Sequence, residues 1–94
     1  MTQMNVLIDL LNAADIPFEL TADACGNPSN QVWYPDEDDP VCDVICHQFS
    51  YGGDRGLLEI MGLNENYNNV EGFLTAEEVF KRIKADYEKS KVDK

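Results

Sequence analysis

Hydrophobic positions recur at helical spacing near both ends of the chain and in short runs between them. Met4, Leu7, Ile8 and Leu11 lie three or four residues apart, and Val6 and Leu10 widen the face they make. Thr2 can cap this segment and Asp15 and Pro17 end it, so the pattern predicts a helix over Gln3–Ala14. Toward the other end, Val79, Phe80, Ile83 and Tyr87 form a second apolar stripe. Thr75 and Glu78 before it have the spacing of a capping box. Glu77–Lys81 and Glu78–Arg82 stand in the favourable i,i+4 order, and acids early with bases late suit the helix dipole.

The middle of the chain reads as strands. Phe18–Thr21 is a short β-prone piece, and Gly26, Asn27, Pro28, Ser29 and Asn30 mark residues 22–30 as loop. Gln31–Tyr34 and Val41–Phe49 flank the acidic turn Pro35–Pro40, which predicts a hairpin. A helix starting at Asp39 with Pro40 in its first position is the competing assignment. Tyr51, Gly52 and Gly53 break the chain, Leu57–Met61 reads as a helical turn on the core, and Asn64–Gly72 as loop. The expected architecture is a single α+β domain over residues 1–94. In it, an antiparallel sheet of about three strands is covered by an N-terminal and a C-terminal helix.

Composition adds that a core is affordable at 44% hydrophobic residues, in a size class that often recruits a metal, a dimer interface or another staple. Charge changes the picture more. The first basic residue is Arg55, and residues 1–54 hold ten Asp or Glu, so nearly all of the net charge of −11 lies in one half. Such a surface repels nucleic acid and anionic membrane and attracts basic proteins. The expected partner is therefore a basic, nucleic-acid-handling protein, with no direct nucleic-acid or membrane binding. Asp9 interrupts the apolar stretch Val6–Leu11, no Lys or Arg precedes it, and no apolar run reaches membrane-spanning length. With three cysteines and no secretory pattern, the expectation is a cytoplasmic protein with reduced or metal-bound thiols.

All three cysteines and the only histidine fall between positions 25 and 47: Cys25, Cys42, Cys46 and His47. A Cys₃His set is a common complement for structural zinc, with donors about 2.0–2.3 Å from the ion. Spacing tests it. In a strand, Cys42 and Cys46 sit roughly 13 Å apart, too far for one ion, whereas a helix brings them together. A strand that ends or bulges at Cys46 could pair Cys46 and His47 with Cys25 and leave Cys42 in the core. Buried reduced thiols are the alternative for all three.

Asp36, Glu37, Asp38 and Asp39 are the candidate partner-binding residues, with Trp33 and Tyr34 beside them as candidate anchors. Such an array can imitate the phosphate spacing of DNA in a groove lined by Lys and Arg, although core packing is an alternative for at least one of the two aromatics. Residues 67–78 partly match a calcium loop, with Asn69, Glu71, Gly72, Leu74 and Glu78 in register, but Tyr67 occupies the first ligand position. No His-Glu-x-x-His, phosphate-cradling or nucleophile–base pattern is present, so no enzyme is expected.

Val41-Cys42-Asp43-Val44-Ile45-Cys46-His47, Ser50-Tyr51-Gly52, Gly56 to Gly62 and Val70 to Phe80 together resemble small acidic proteins of phages and prophages of Gram-positive bacteria. The resemblance covers most of residues 17–88 and extends to type II-A anti-CRISPR proteins, and a zinc-containing member would suit the cysteine cluster. It implies a Cas9 inhibitor acting in the bacterial host cytoplasm, hindering target DNA loading, with zinc as a structural cofactor. Another basic host protein, such as a restriction, nucleoid or transcription factor, is the alternative partner.

Overall fold

Five strands rather than about three make up the sheet in the computed structural model, which describes residues 2–63 and 70–92. The elements run α1 (Gln3–Ala13), β1 (Glu19–Thr21), β2 (Gln31–Tyr34), β3 (Cys42–Ile45), β4 (Leu58–Met61), β5 (Val70–Leu74) and α2 (Ala76–Val92). All neighbouring strands are antiparallel and their spatial order is their chain order, so the sheet is a simple meander. The fold is α+β, with a helix at each end of the chain.

The helices follow their caps. Asn5 N–H donates to Thr2 Oγ1 at 3.1 Å at the start of α1. At α2, Thr75 N–H donates to Glu78 Oε1 at 3.0 Å and Glu78 N–H donates to Thr75 Oγ1 at 3.2 Å, the reciprocal capping box. Arg82 forks onto Glu71 of β5, with contacts of 3.0 and 2.8 Å. That bidentate pair pins α2 to the edge of the sheet.

Two expectations change. Leu57–Met61 was expected to make a helical turn, but Leu58–Met61 is strand β4, hydrogen-bonded between β3 and β5. Its backbone groups are satisfied by two neighbours, which one helical turn cannot offer. Gly72, expected in a loop, lies within β5, and a register shift between Leu58 and Ile60 absorbs the irregularity. The rest of that expected loop, residues 64–69, is outside the described residues. So are Tyr67 and Asn69 of the calcium-like pattern, whose remaining acids Glu71 and Glu78 hold Arg82 and the α2 cap.

The core lies between the helices and one face of the sheet. Leu7 and Leu11 of α1, Val79 and Ile83 of α2, and Val32, Val44, Leu58 and Ile60 of the strands are fully enclosed. Burying side chains of this kind contributes about 1.5–3 kcal/mol each before conformational entropy is set against it. Gln3 ties the ends of this layer together, its Oε1 accepting a 2.7 Å hydrogen bond from the first N–H of α2 at Ala76. Among the described residues no helix is long and apolar enough to cross a membrane.

Candidate functional site

The meander sorts its loops to two ends of the sheet. One end carries the β2–β3 turn, and the other carries the β1–β2 loop and the β3–β4 connection. At the first end the acidic turn is prearranged by its own donors and acceptors. Asp39 N–H donates to Asp36 Oδ1 at 2.8 Å, and Glu37 N–H donates to Glu19 Oε1 at 3.0 Å. Glu37, Asp38 and Asp39 are exposed, with Asp36 partly covered. Apart from Arg55, every Lys and Arg among the described residues lies on α2. Among the described residues the ion pairs are Arg82–Glu71 and Lys84–Glu88, so no cation neutralises the turn.

The two candidate anchors separate by strand parity. Trp33 points to the outer face, half-buried, and its Nε1–H donates to Thr21 Oγ1 at 2.8 Å. Tyr34 points inward and is 3% exposed, the core packing weighed as the alternative for one of the two aromatics. Its hydroxyl donates to Asp86 Oδ2 of α2 at 2.8 Å. Burial, together with that hydrogen bond and the Asp86 charge, pushes the phenol above its ordinary range.

The cysteine–histidine residues divide in the same way. Cys42 opens β3 and faces the core, 2% exposed. Burial, then the nearby charges of Asp43 and Asp86, push its thiol up to about 12. Cys46 follows β3 half-buried, its thiol also raised by burial, and Cys25 is exposed on the β1–β2 loop. Asn30 Nδ2 bridges these regions, donating to Asp23 Oδ2 and to the Cys46 carbonyl, both at 2.7 Å. His47 Nδ1 accepts from Phe49 N–H at 3.1 Å, which occupies one of its two ring nitrogens. Among the described residues no group of three or more His, Cys, Asp or Glu is gathered to hold a metal.

The same loop does hold Asp23 firmly. Burial works to raise its pKa, but hydrogen bonds from the side chains of Asn30 and Asn27 and the backbone of Asn27 and Cys25 outweigh it. The result is a carboxylate held at about 2.

Residues the sequence reading passed over stand at this second end. Phe49, Tyr51 and Phe73 are 78%, 63% and 54% exposed, unusual for three large aromatics so close in the fold. The backbone beneath them is tight. Phe73 N–H donates to the Tyr51 carbonyl at 3.2 Å, and Phe73 itself sits at φ 59°, rare for a bulky residue. Gly52 has φ 90°, and a Cβ there would stand 2.8 Å from Phe73 N. The signal available in the sequence was the alternation of aromatics with glycines around Tyr51-Gly52-Gly53 and Gly72-Phe73.

No protein-family model matches the chain, and no curated protein or solved structure matches it.

Proposed function

We propose that the protein is a non-enzymatic ligand of a basic, nucleic-acid-handling protein, acting through its acidic turn. The candidate partner implied by the sequence resemblance is a Cas9-type effector, whose target DNA loading it would hinder. The observation that carries this reading is the unneutralised turn. Glu37, Asp38 and Asp39 project from a loop already ordered by Asp36 and Glu19, and no cation of the described residues pairs with them. A preformed array of this sign raises the association rate with a positively charged groove, by about 10–1,000-fold at low salt. Little ordering entropy remains to be lost on binding.

The test is binding of the full chain to a purified Cas9-type effector loaded with guide RNA, at low and high salt. Glu37, Asp38 and Asp39 are each changed to Lys, and Asp36 is kept because it caps the turn. The expected result is a fall of about tenfold or more in association rate and a weaker salt dependence. Unchanged binding by the variant would remove the turn as the contact. Absence of binding to the effector, with retention of another basic host protein through the same acids, would move the function to that partner.

A further inference from the structure

The outer face of the sheet takes no part in the core. Val32, Tyr34, Cys42, Val44, Leu58 and Ile60 turn toward the helices, so the residues of opposite parity face away from them. The register sets Glu19, Trp33, Asp43 and Met61 in one row across β1 to β4. Side chains directly opposite on neighbouring strands are about 5 Å apart, so an indole lies between two carboxylates. Its orientation is set by the 2.8 Å bond from Nε1–H to Thr21 Oγ1.

Among the described residues both carboxylates are held only by neutral donors. Asp43 Oδ2 accepts from Gln31 Nε2 at 2.9 Å, and Glu19 Oε1 accepts from the Glu37 N–H. Glu59, 8% exposed, adds a third acid on the adjacent strand and accepts the Tyr51 N–H at 2.8 Å. Burial raises the Asp43 pKa, the Gln31 hydrogen bond lowers it, and the Glu59 charge raises it again. The face carries negative charge around an aromatic ring, with no positive side chain in its strands.

We propose that this face recognises arginine: a guanidinium of a basic partner stacks on Trp33 and is gripped from either side by Glu19 and Asp43. The inference rests on the reading of the protein as a ligand of a basic partner, and it names the contact that reading leaves open. Charge complementarity selects a cation, and the flat ring between two carboxylates selects arginine over lysine. A planar guanidinium can stack on the indole while donating paired hydrogen bonds in its own plane, whereas an ammonium presents a hydrated point charge. Because Glu19 also accepts from Glu37, the face runs directly into the acidic turn.

Trp33 is the only tryptophan, so its fluorescence reports this site alone. Nona-arginine and nona-lysine peptides are titrated into the full chain while Trp33 emission is followed. Nona-arginine is expected to change the emission saturably and bind about fivefold more tightly than nona-lysine. Asp43→Asn, and separately Glu19→Gln (which keeps an oxygen for the Glu37 N–H), are expected to weaken it several-fold, with melting curves checked alongside. Changing Glu37, Asp38 and Asp39 to their amides should preserve the emission change. No emission change, equal affinity for both peptides, or no effect of either face variant would overturn the proposal. Peptide binding lost only in the turn variant overturns this face and leaves the basic-partner reading standing. Failure to bind either peptide at all counts against both.

Discussion

Tyr34→Phe removes one oxygen from the interior and asks what the Tyr34–Asp86 contact contributes. The hydroxyl donates at 2.8 Å to a carboxylate on α2, the only side-chain hydrogen bond between β2 and that helix among those described. Hydrogen bonds to charged groups contribute about 1.5–3 kcal/mol. Asp86 is partly exposed, so water can replace part of the lost partner, which places the expected cost near the low end, about 1–2 kcal/mol. For a domain of this size that corresponds to a fall of about 5–10 °C in melting temperature. Urea unfolding followed by circular dichroism is the assay, with the midpoint lowered and the slope unchanged. In an Asp86→Ala background, which leaves the hydroxyl no acceptor, the further cost of Tyr34→Phe is expected to shrink to a few tenths of a kcal/mol. A midpoint equal to that of the parent, or an undiminished cost in the Asp86→Ala background, would refute the coupling. Partner binding is expected to be untouched, since the side chain is enclosed. A loss of binding at unchanged stability would return Tyr34 to the interface.

Two further predictions concern the cysteine-containing end. Thiol labelling of the native protein is expected to modify Cys25 first, Cys46 slowly and Cys42 only on unfolding, following exposure and the raised thiols of the latter two. Native mass spectrometry of untagged protein in the same labelling series decides the zinc expectation: one zinc per chain with Cys46 protected would show that the loops close on a metal, and metal-free protein would leave the thiols to packing alone. Asp23 titrates lower in the folded chain than when unfolded, so the stability it contributes is present above the ordinary carboxylate pKa of 3.8 and is lost as pH falls toward about 2. Acid unfolding of Asp23→Asn is therefore expected to show a shallower loss of stability across that interval. An identical pH profile would show that the Asn27 and Asn30 contacts do not persist in solution.

The helices and the β2–β3 hairpin were legible because their signals are redundant. Period, cap and charge agree at α2, and two β-prone runs bracket an acidic turn at the hairpin. Strand β4 was not, because Leu58, Ile60 and their neighbours are too few to separate a strand from a helical turn. What decides it is pairing on both sides, a non-local property. β5 was hidden by Gly72, a residue that weakens strand patterns. At the surface, net charge revealed the acidic turn without any knowledge of the fold. Parity was needed for the rest: Trp33 and Tyr34, adjacent and chemically alike, reach opposite faces only once β2 is a strand. The same alternation takes Cys42 into the core. The close approach of Phe73 to Gly52, and of Tyr51 to Gly72, joins segments distant in the chain, which no spacing rule reports.

The chain-order meander also has a kinetic consequence. Each strand finds its partner in the segment just made, so the sheet can zip up through short loop closures whose entropy cost is small. The exception is α1, which packs against a helix that begins only at Ala76, as the Gln3–Ala76 bond records. During synthesis from the N-terminus, Met4, Leu7 and Leu11 thus lack the cover of α2 until Val79 and Ile83 arrive. The late closure of one layer, rather than the assembly of the sheet, is the step at which this chain is most exposed to aggregation.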